Sequence, residues 1–203
     1  MSEPGVVLFD IGGVLLTNGW DVADRAEGAR RFHLDLEAFE ARHATAMPAF
    51  ERGELSLEGY LEATLPAASP RKLRDELRAF ILGCSRPHPD TLRVVDRVRG
   101  AASVRLVAFN NEGRELNEHR IATFHLDRLF SLFFSSCYTG RRKPDPAAYR
   151  GVVDVLRADP RDCLFVDDRE ENLVPARSLG MGTIQYRSPE QLATALALAG
   201  VRS

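Results

Sequence analysis

Val6-Val7-Leu8-Phe9-Asp10-Ile11-Gly12-Gly13-Val14-Leu15 is the stretch on which the fold turns. Four apolar residues in a row leave no polar face. Such a run suits a short strand buried on both sides of a parallel sheet. It stops at an aspartate followed by two glycines, which places Asp10 at the carboxyl end of the strand. Working outward, residues 20–80 change period: Phe32, Leu36 and Phe39, then Leu57, Tyr60 and Leu61, then Leu73, Leu77 and Phe80 recur at three and four. This spacing predicts four short amphipathic helices, broken near His33, at Arg52-Gly53-Glu54 and at Pro66 to Pro70. From Pro87 onward, strand patterns at 105–109, 132–135, 163–166 and 183–186 alternate with helical ones at 89–99, 114–124, 145–158, 171–179 and 188–199. That alternation implies an α/β fold, a Rossmann-like parallel sheet with helices on both faces. The expected organisation is a core of residues 1–17 and 87–203, with an all-α cap of residues 18–86 inserted after the first strand.

Open α/β sheets bind ligands at the carboxyl ends of their strands. Asp10 stands at one such end, and Asp167-Asp168 follow Cys163-Leu164-Phe165-Val166 at another. A single aspartate in such a place is more often a helix cap or a loop acid. Three converging carboxylates instead make a hard, all-oxygen site of the kind Mg²⁺ prefers. Lys143, in Arg142-Lys143-Pro144-Asp145-Pro146, lies at a helix start, where a cation is disfavoured without another task. It is also one of only two lysines among 27 basic residues. A compact ammonium suits a crowded carboxylate and phosphate site. Three carboxylates, Mg²⁺ and Lys143 sum to zero charge, so a phosphate dianion would draw on backbone N–H groups at loop and helix starts.

Composition excludes several classes. The net charge of −2 makes no case for nucleic acid or an anionic membrane as partner. Met1-Ser2-Glu3-Pro4-Gly5 lacks the basic region of a signal peptide, and the least polar stretch, Leu192 to Val201, is far too short to span a bilayer. Cys84, Cys137 and Cys163 are odd in number and have no metal-type spacing. That favours reduced thiols and a cytoplasmic protein.

With these residues in place, the chain resembles the haloacid dehalogenase-like hydrolase superfamily. Phe9-Asp10-Ile11-Gly12-Gly13-Val14-Leu15 is similar to its first motif, and Val107-Ala108-Phe109-Asn110-Asn111 occupies the place of the second. Arg142-Lys143-Pro144 matches the third, and Phe165-Val166-Asp167-Asp168 with Asn172 the fourth. Among the branches the chain is most similar to the small-cap group that includes sugar-phosphate phosphatases and the phosphatase domain of soluble epoxide hydrolases. Glu51-Arg52-Gly53-Glu54-Leu55-Ser56 adds to that likeness. The resemblance implies a Mg²⁺-dependent phosphatase for a small phosphorylated metabolite. Asp10 would be the nucleophile, forming an aspartyl-phosphate that water hydrolyses. Asp10, Asp168 and the carbonyl of Gly12 would hold Mg²⁺, with Asp167 beside them or acting through water. Lys143 would steady the nucleophile and the phosphate.

Two positions depart from the pattern. Gly12 stands where family phosphatases carry an aspartate as general acid and base, help worth about 10²–10⁴ in rate. Its absence favours a substrate with a good leaving group, such as an anomeric or acyl phosphate. Phe109 stands where the second motif offers Ser or Thr, leaving Asn110, Asn111 or their backbone N–H groups to meet the phosphate. Glu112 and His43 are the candidates for a replacement acid, against the readings of a solvated loop acid and a helix-surface histidine. Arg42, His43 and Arg52 are candidates for substrate contact, and Trp20 for the cleft entrance or the packing of cap on core. The alternatives are a non-catalytic protein that binds a phosphoryl ligand or a partner, and a carbon–halogen hydrolase, whose chemistry needs no Mg²⁺. The sequence names neither the substrate nor the oligomeric state.

Overall fold

The computed structural model describes residues 3–101 and 104–201. Five parallel strands, β1 (Val6–Phe9), β2 (Arg105–Asn110), β3 (Leu132–Ser135), β4 (Cys163–Asp167) and β5 (Gly182–Gln185), form one sheet in the order β3-β2-β1-β4-β5. β1 is central, with Phe9 in register with Ala108 of β2 and Val166 of β4. Its apolar run has the reason that the sequence suggested, for each face meets a helical layer. Val7 and Phe9 enter a cluster with Val94, Val95 and Val98 of α5 (Pro89–Ala101) and Leu192 and Leu196 of α10 (Pro189–Leu198). Val6 and Leu8 enter a second, with Tyr149 and Val152 of α8 (Pro146–Leu156) and Leu173 and Ala176 of α9 (Glu170–Leu179). Burial of each such aliphatic or aromatic side chain contributes roughly 1.5–3 kcal/mol.

The chain runs from β1 to β2 and β3 on one side, then crosses to β4 and β5 on the other. The crevice at that reversal lies at the carboxyl ends of β1, β2 and β4. Between β1 and α5 come α1 (Val22–Arg31), α2 (Leu36–Glu51), α3 (Leu57–Thr64) and α4 (Arg71–Gly83). Asp21, Asp35 and Ser56 cap the first three, each accepting from backbone N–H groups of the first turn. These helices close around a third cluster that includes Trp20, Phe39, Phe50, Tyr60, Leu61 and Leu77. Leu116 of α6 (Arg114–Thr123) belongs to the same cluster, so the insert shares packing with the core.

The close contact runs along the end of α2. A Cβ at Gly113 would fall 2.1 Å from the Phe50 ring, and one at Gly53 2.4 Å from the Cys137 carbonyl. Among the short elements that escaped the sequence reading is α7 (Ser136–Thr139), a single turn after β3. It is too short to show periodicity and is ended by Gly140 at φ +69°.

Candidate active site

Asp10 continues the β1 ladder, its N–H donating to the Val166 carbonyl at 2.9 Å. Its own Oδ1 accepts from the Ile11 N–H at 2.8 Å, and Lys143 Nζ lies 3.0 Å from Oδ2. The same ammonium donates to Asp167 Oδ2 at 2.6 Å, so Lys143 bridges the two strand ends. Lys143 and Asp167 are fully enclosed. Burial raises the Asp10 carboxyl, Lys143 lowers it, and the Asp167 and Asp168 charges raise it further, with a net rise. The paired carboxylates hold the Lys143 ammonium above its ordinary value despite the burial.

Asp167 and Asp168 differ although they are neighbours. Asp167 is saturated: besides Lys143, Asn172 Nδ2 reaches both oxygens at 3.0 and 3.1 Å and the Arg169 N–H reaches Oδ1 at 2.9 Å. Asp168 Oδ1 is buried without a hydrogen-bond partner among the described residues, and burial followed by the Asp167 charge raises its carboxyl. A buried, unpaired anionic oxygen is costly. One oxygen from each of Asp10, Asp167 and Asp168 lies within 4.8 Å of the others. The orphaned oxygen and the all-carboxylate donors fit a hard divalent cation such as Mg²⁺. Gly13 makes the approach possible. It sits at φ +76°, and a Cβ there would lie 2.4 Å from Asp168 Oδ2.

Asn110 and Asn111 come to the same strand end but have other tasks. Asn110 is buried, donating to Asn117 Oδ1 at 3.0 Å and accepting from Ser135 Oγ at 2.8 Å. Asn111 clamps the backbone of Lys143, donating to its carbonyl at 2.8 Å and accepting from its N–H at 2.9 Å. Phe109 packs against Tyr149 and Phe165, and Lys143 Nζ lies 5.4 and 5.1 Å from the Phe109 and Phe165 ring centroids. The departure in the second motif thus supplies an aromatic face beneath the ammonium.

At Gly12 a side chain would meet close neighbours. A Cβ would lie 3.2 Å from Asn18 Oδ1 and 3.7 Å from Arg120 Nη1. Arg120 is buried and had no sequence signal. Its Nη1 pairs with Glu112 Oε2 at 2.6 Å, Nε donates to Ser85 Oγ at 2.8 Å, and Nη2 donates to the Asn18 carbonyl. One guanidinium thereby ties together both connections between insert and core. Burial pushes the Glu112 carboxyl up to about 7, against the pull of Arg120. Glu112 is thus a partner of Arg120, no longer the solvated loop acid.

His43 is buried, and burial followed by the Arg25 charge lowers it to about 4, with Glu40 opposing. It is neutral at neutral pH, unlike a protonated acid. A cavity of about 380 Å³ opens beside Asp10, walled by Gly12, Trp20, His43, Met47, Arg120 and Lys143 among others. Neither Arg42 nor Arg52 lines it. Arg42 Nε donates to the Thr64 carbonyl at 2.5 Å, and Arg52 pairs with Glu54 at 2.6 Å. Arg142 of the third motif lines it, as do Arg25 and Arg169, which the sequence did not single out. Trp20 packs edge-on against Phe39 and Phe80, so it both fills the insert's core and reaches the cavity.

Comparisons with known proteins give the family and the fold. The family model described as haloacid dehalogenase-like hydrolase matches residues 4–180. Flavin mononucleotide hydrolase 1 of Arabidopsis thaliana is 41% identical over 76 residues, covering 37% of this chain and 31% of that protein. Bifunctional epoxide hydrolase 2 of Rattus norvegicus is 44% identical over 62 residues, covering 30% of this chain and 11% of that protein. The aligned stretches therefore span less than a third of the length of these relatives. Among solved structures, a HAD family enzyme of Bacteroides thetaiotaomicron has the same fold, with TM-score 0.76 at 19% identity over 92% of this chain and 95% of that one. That enzyme has also been solved in complex with magnesium and inorganic phosphate.

Proposed function

Because the chain belongs to the haloacid dehalogenase-like hydrolase family, we propose that it is a Mg²⁺-dependent phosphatase for a small phosphorylated metabolite. The observation that carries the reading is the Asp10–Lys143–Asp167 bridge beside the unpartnered Oδ1 of Asp168. Asp10 and Asp168, with the Gly12 carbonyl, would hold the cation, with Asp167, which anchors Lys143, beside them or acting through water. When bound, Mg²⁺ supplies positive charge against the transferring phosphoryl oxygens.

Asp10 Oδ attacks phosphorus, the bond to the leaving oxygen breaks, and an aspartyl-phosphate forms. Water then attacks phosphorus, breaking the bond to Asp10 and releasing phosphate. Lys143 opposes the burial that raises the Asp10 carboxyl, orients that carboxyl, and offsets phosphoryl charge. The Asn110 and Asn111 side chains are engaged within the protein, so backbone N–H groups at this strand end meet the phosphate. With Gly12 in the place of the acid, the leaving group departs with little proton help, as an anomeric or acyl oxygen does. The insert, residues 18–86, acts as the cap on a core of residues 1–17 and 87–203, and excludes water from the cleft. Three free cysteines suit a reducing cytoplasm. Among the described residues no helix is long and apolar enough to cross a membrane.

The test is a panel of sugar, acyl and nucleotide phosphates, with Mg²⁺ and with chelator, run alongside Asp10→Asn. Turnover lost in both controls, by about 10⁴-fold or more for the nucleophile variant, supports the reading. Phosphatase activity that survives chelation overturns the Mg²⁺ dependence, and chelator-resistant turnover of a 2-haloacid run beside the panel points to the carbon–halogen reading instead. A second reading has its own observation: Gly12 carries no acid, and Asn18 and Arg120 lie close to where its side chain would start, as in a protein that binds phosphate without turning it over. Tight Mg²⁺-dependent phosphate binding with a silent panel would establish it.

A further inference from the structure

Three side chains of the insert form a chain whose hydrogen positions follow from chemistry. Trp20 Nε1 can only donate, and it donates to the Tyr60 hydroxyl at 2.8 Å. That hydroxyl is fully buried and lies 2.7 Å from His43 Nδ1. Having accepted from the indole, the hydroxyl has one proton left, and no other described acceptor faces it. Tyr60 therefore donates to Nδ1, which must be the unprotonated nitrogen of the ring. The neutral tautomer is fixed with its proton on Nε2. His43 lines the cavity beside Asp10, and no described residue meets Nε2.

The charges around it point the same way. Arg25 and Glu40 flank the ring and pair with each other at 2.7 Å. The other arginines of the cavity also face carboxylates: Arg120 faces Glu112, Arg142 faces Glu51, and Arg169 faces Glu171. Each cavity arginine is thus set against a carboxylate, beside apolar Trp20 and Met47 and the uncharged His43 ring.

Resting on the phosphatase reading above, we infer that His43 is the specificity residue for the leaving group. It presents its Nε2–H to an uncharged oxygen acceptor carried by the substrate, and Tyr60 and Trp20 set its tautomer. Favoured substrates are phosphate esters of a neutral, acceptor-bearing group; a bare hydrocarbon or a second anionic group is disfavoured.

The test uses two near-isosteric probes, 4-acetylphenyl phosphate and 4-ethylphenyl phosphate, which differ in one carbonyl acceptor. The readout is the ratio of their kcat/KM values, measured with the wild-type protein and with three variants. His43→Leu lowers the acetyl-to-ethyl ratio by about 5–10-fold, the worth of one neutral hydrogen bond, mainly through KM. His43→Gln, which keeps an N–H donor, restores part of it, and Tyr60→Phe lowers it less than His43→Leu. Two-bond ¹H–¹⁵N spectra of the wild-type protein show Nδ1 unprotonated and Nε2 protonated. A ratio unchanged in His43→Leu, or a proton found on Nδ1, overturns the inference and leaves the phosphatase reading standing. A folded wild-type protein that hydrolyses neither these probes nor any other phosphate monoester overturns both.

Discussion

The two walls of the cleft solve opposite electrostatic problems. On the core wall, charge is concentrated and left partly unresolved: Lys143 is shared between Asp10 and Asp167, and a buried oxygen of Asp168 has no partner among the described residues. On the insert wall, charge is cancelled locally, as in the Arg25–Glu40 pair, and the buried His43 is held neutral. Unresolved charge is a site waiting for a cation and a phosphoryl group. Cancelled charge is a surface that sorts ligands by shape and by single hydrogen bonds. Chemistry and selection are thereby assigned to different segments of chain.

The largest effect should come from breaking the core wall. Lys143→Met leaves Asp10 and Asp167 facing each other without their cation, and removing one partner of a buried pair costs about 3–5 kcal/mol. Denaturant unfolding should register that loss, and kcat should fall by about 10²–10³ even where the variant remains folded. Lys143→Arg should not rescue it, because a planar fork does not fit the enclosed space of a point charge.

Next is the neutrality of His43. The unfolded chain protonates this histidine near 6.5, the native state only near 4. As pH falls from 6.5 to 4 the unfolded state gains a proton that the native state does not, so stability declines across that window, by up to about 3 kcal/mol. Above it the contribution is constant. Unfolding free energies measured at pH 7.5, 5.5 and 4.5 should show the decline in the wild-type protein and a flatter profile in His43→Gln. Equal slopes would mean that the ring is solvated.

The smallest expected effect sharpens how the walls meet. Gly113→Ala sets a methyl group 2.1 Å from the Phe50 ring, an overlap that must be relieved by moving α2. A cost of about 1–3 kcal/mol is expected, read as a lowered Tm. Gly140→Ala is the control for glycine removal without crowding, since nothing lies near its Cβ, although its φ of +69° adds backbone strain of its own.

Much of the core wall was legible because its signals are local. Val6 to Phe9 ends at Asp10, Cys163 to Val166 ends at Asp167-Asp168, and Lys143 precedes a proline-led helix start. The parallel sheet then brings strand ends together without further instruction. Arg120 shows the opposite case. It reads as one more arginine on a polar helix, yet it meets Ser85 at a separation of 35 residues and Asn18 at 102. Arg42 and Arg52 looked as suitable for the cleft as Arg25 does, but only helix packing decides which arginine faces it. Phe109 looked like a defect until the Lys143 ammonium was found above its ring.

By itself, then, the sequence determined the strand–helix alternation, the position of the helical insert and the carboxylates at the strand ends. Hydrophobic period and chain punctuation act over a few residues and survive in any single chain. Tertiary structure alone decided which carboxylate is saturated and which is bare, which arginines are neutralised, and which nitrogen of His43 carries its proton. Those properties depend on burial and on hydrogen-bond partners brought from distant segments, and neither exists until the insert has closed on the sheet.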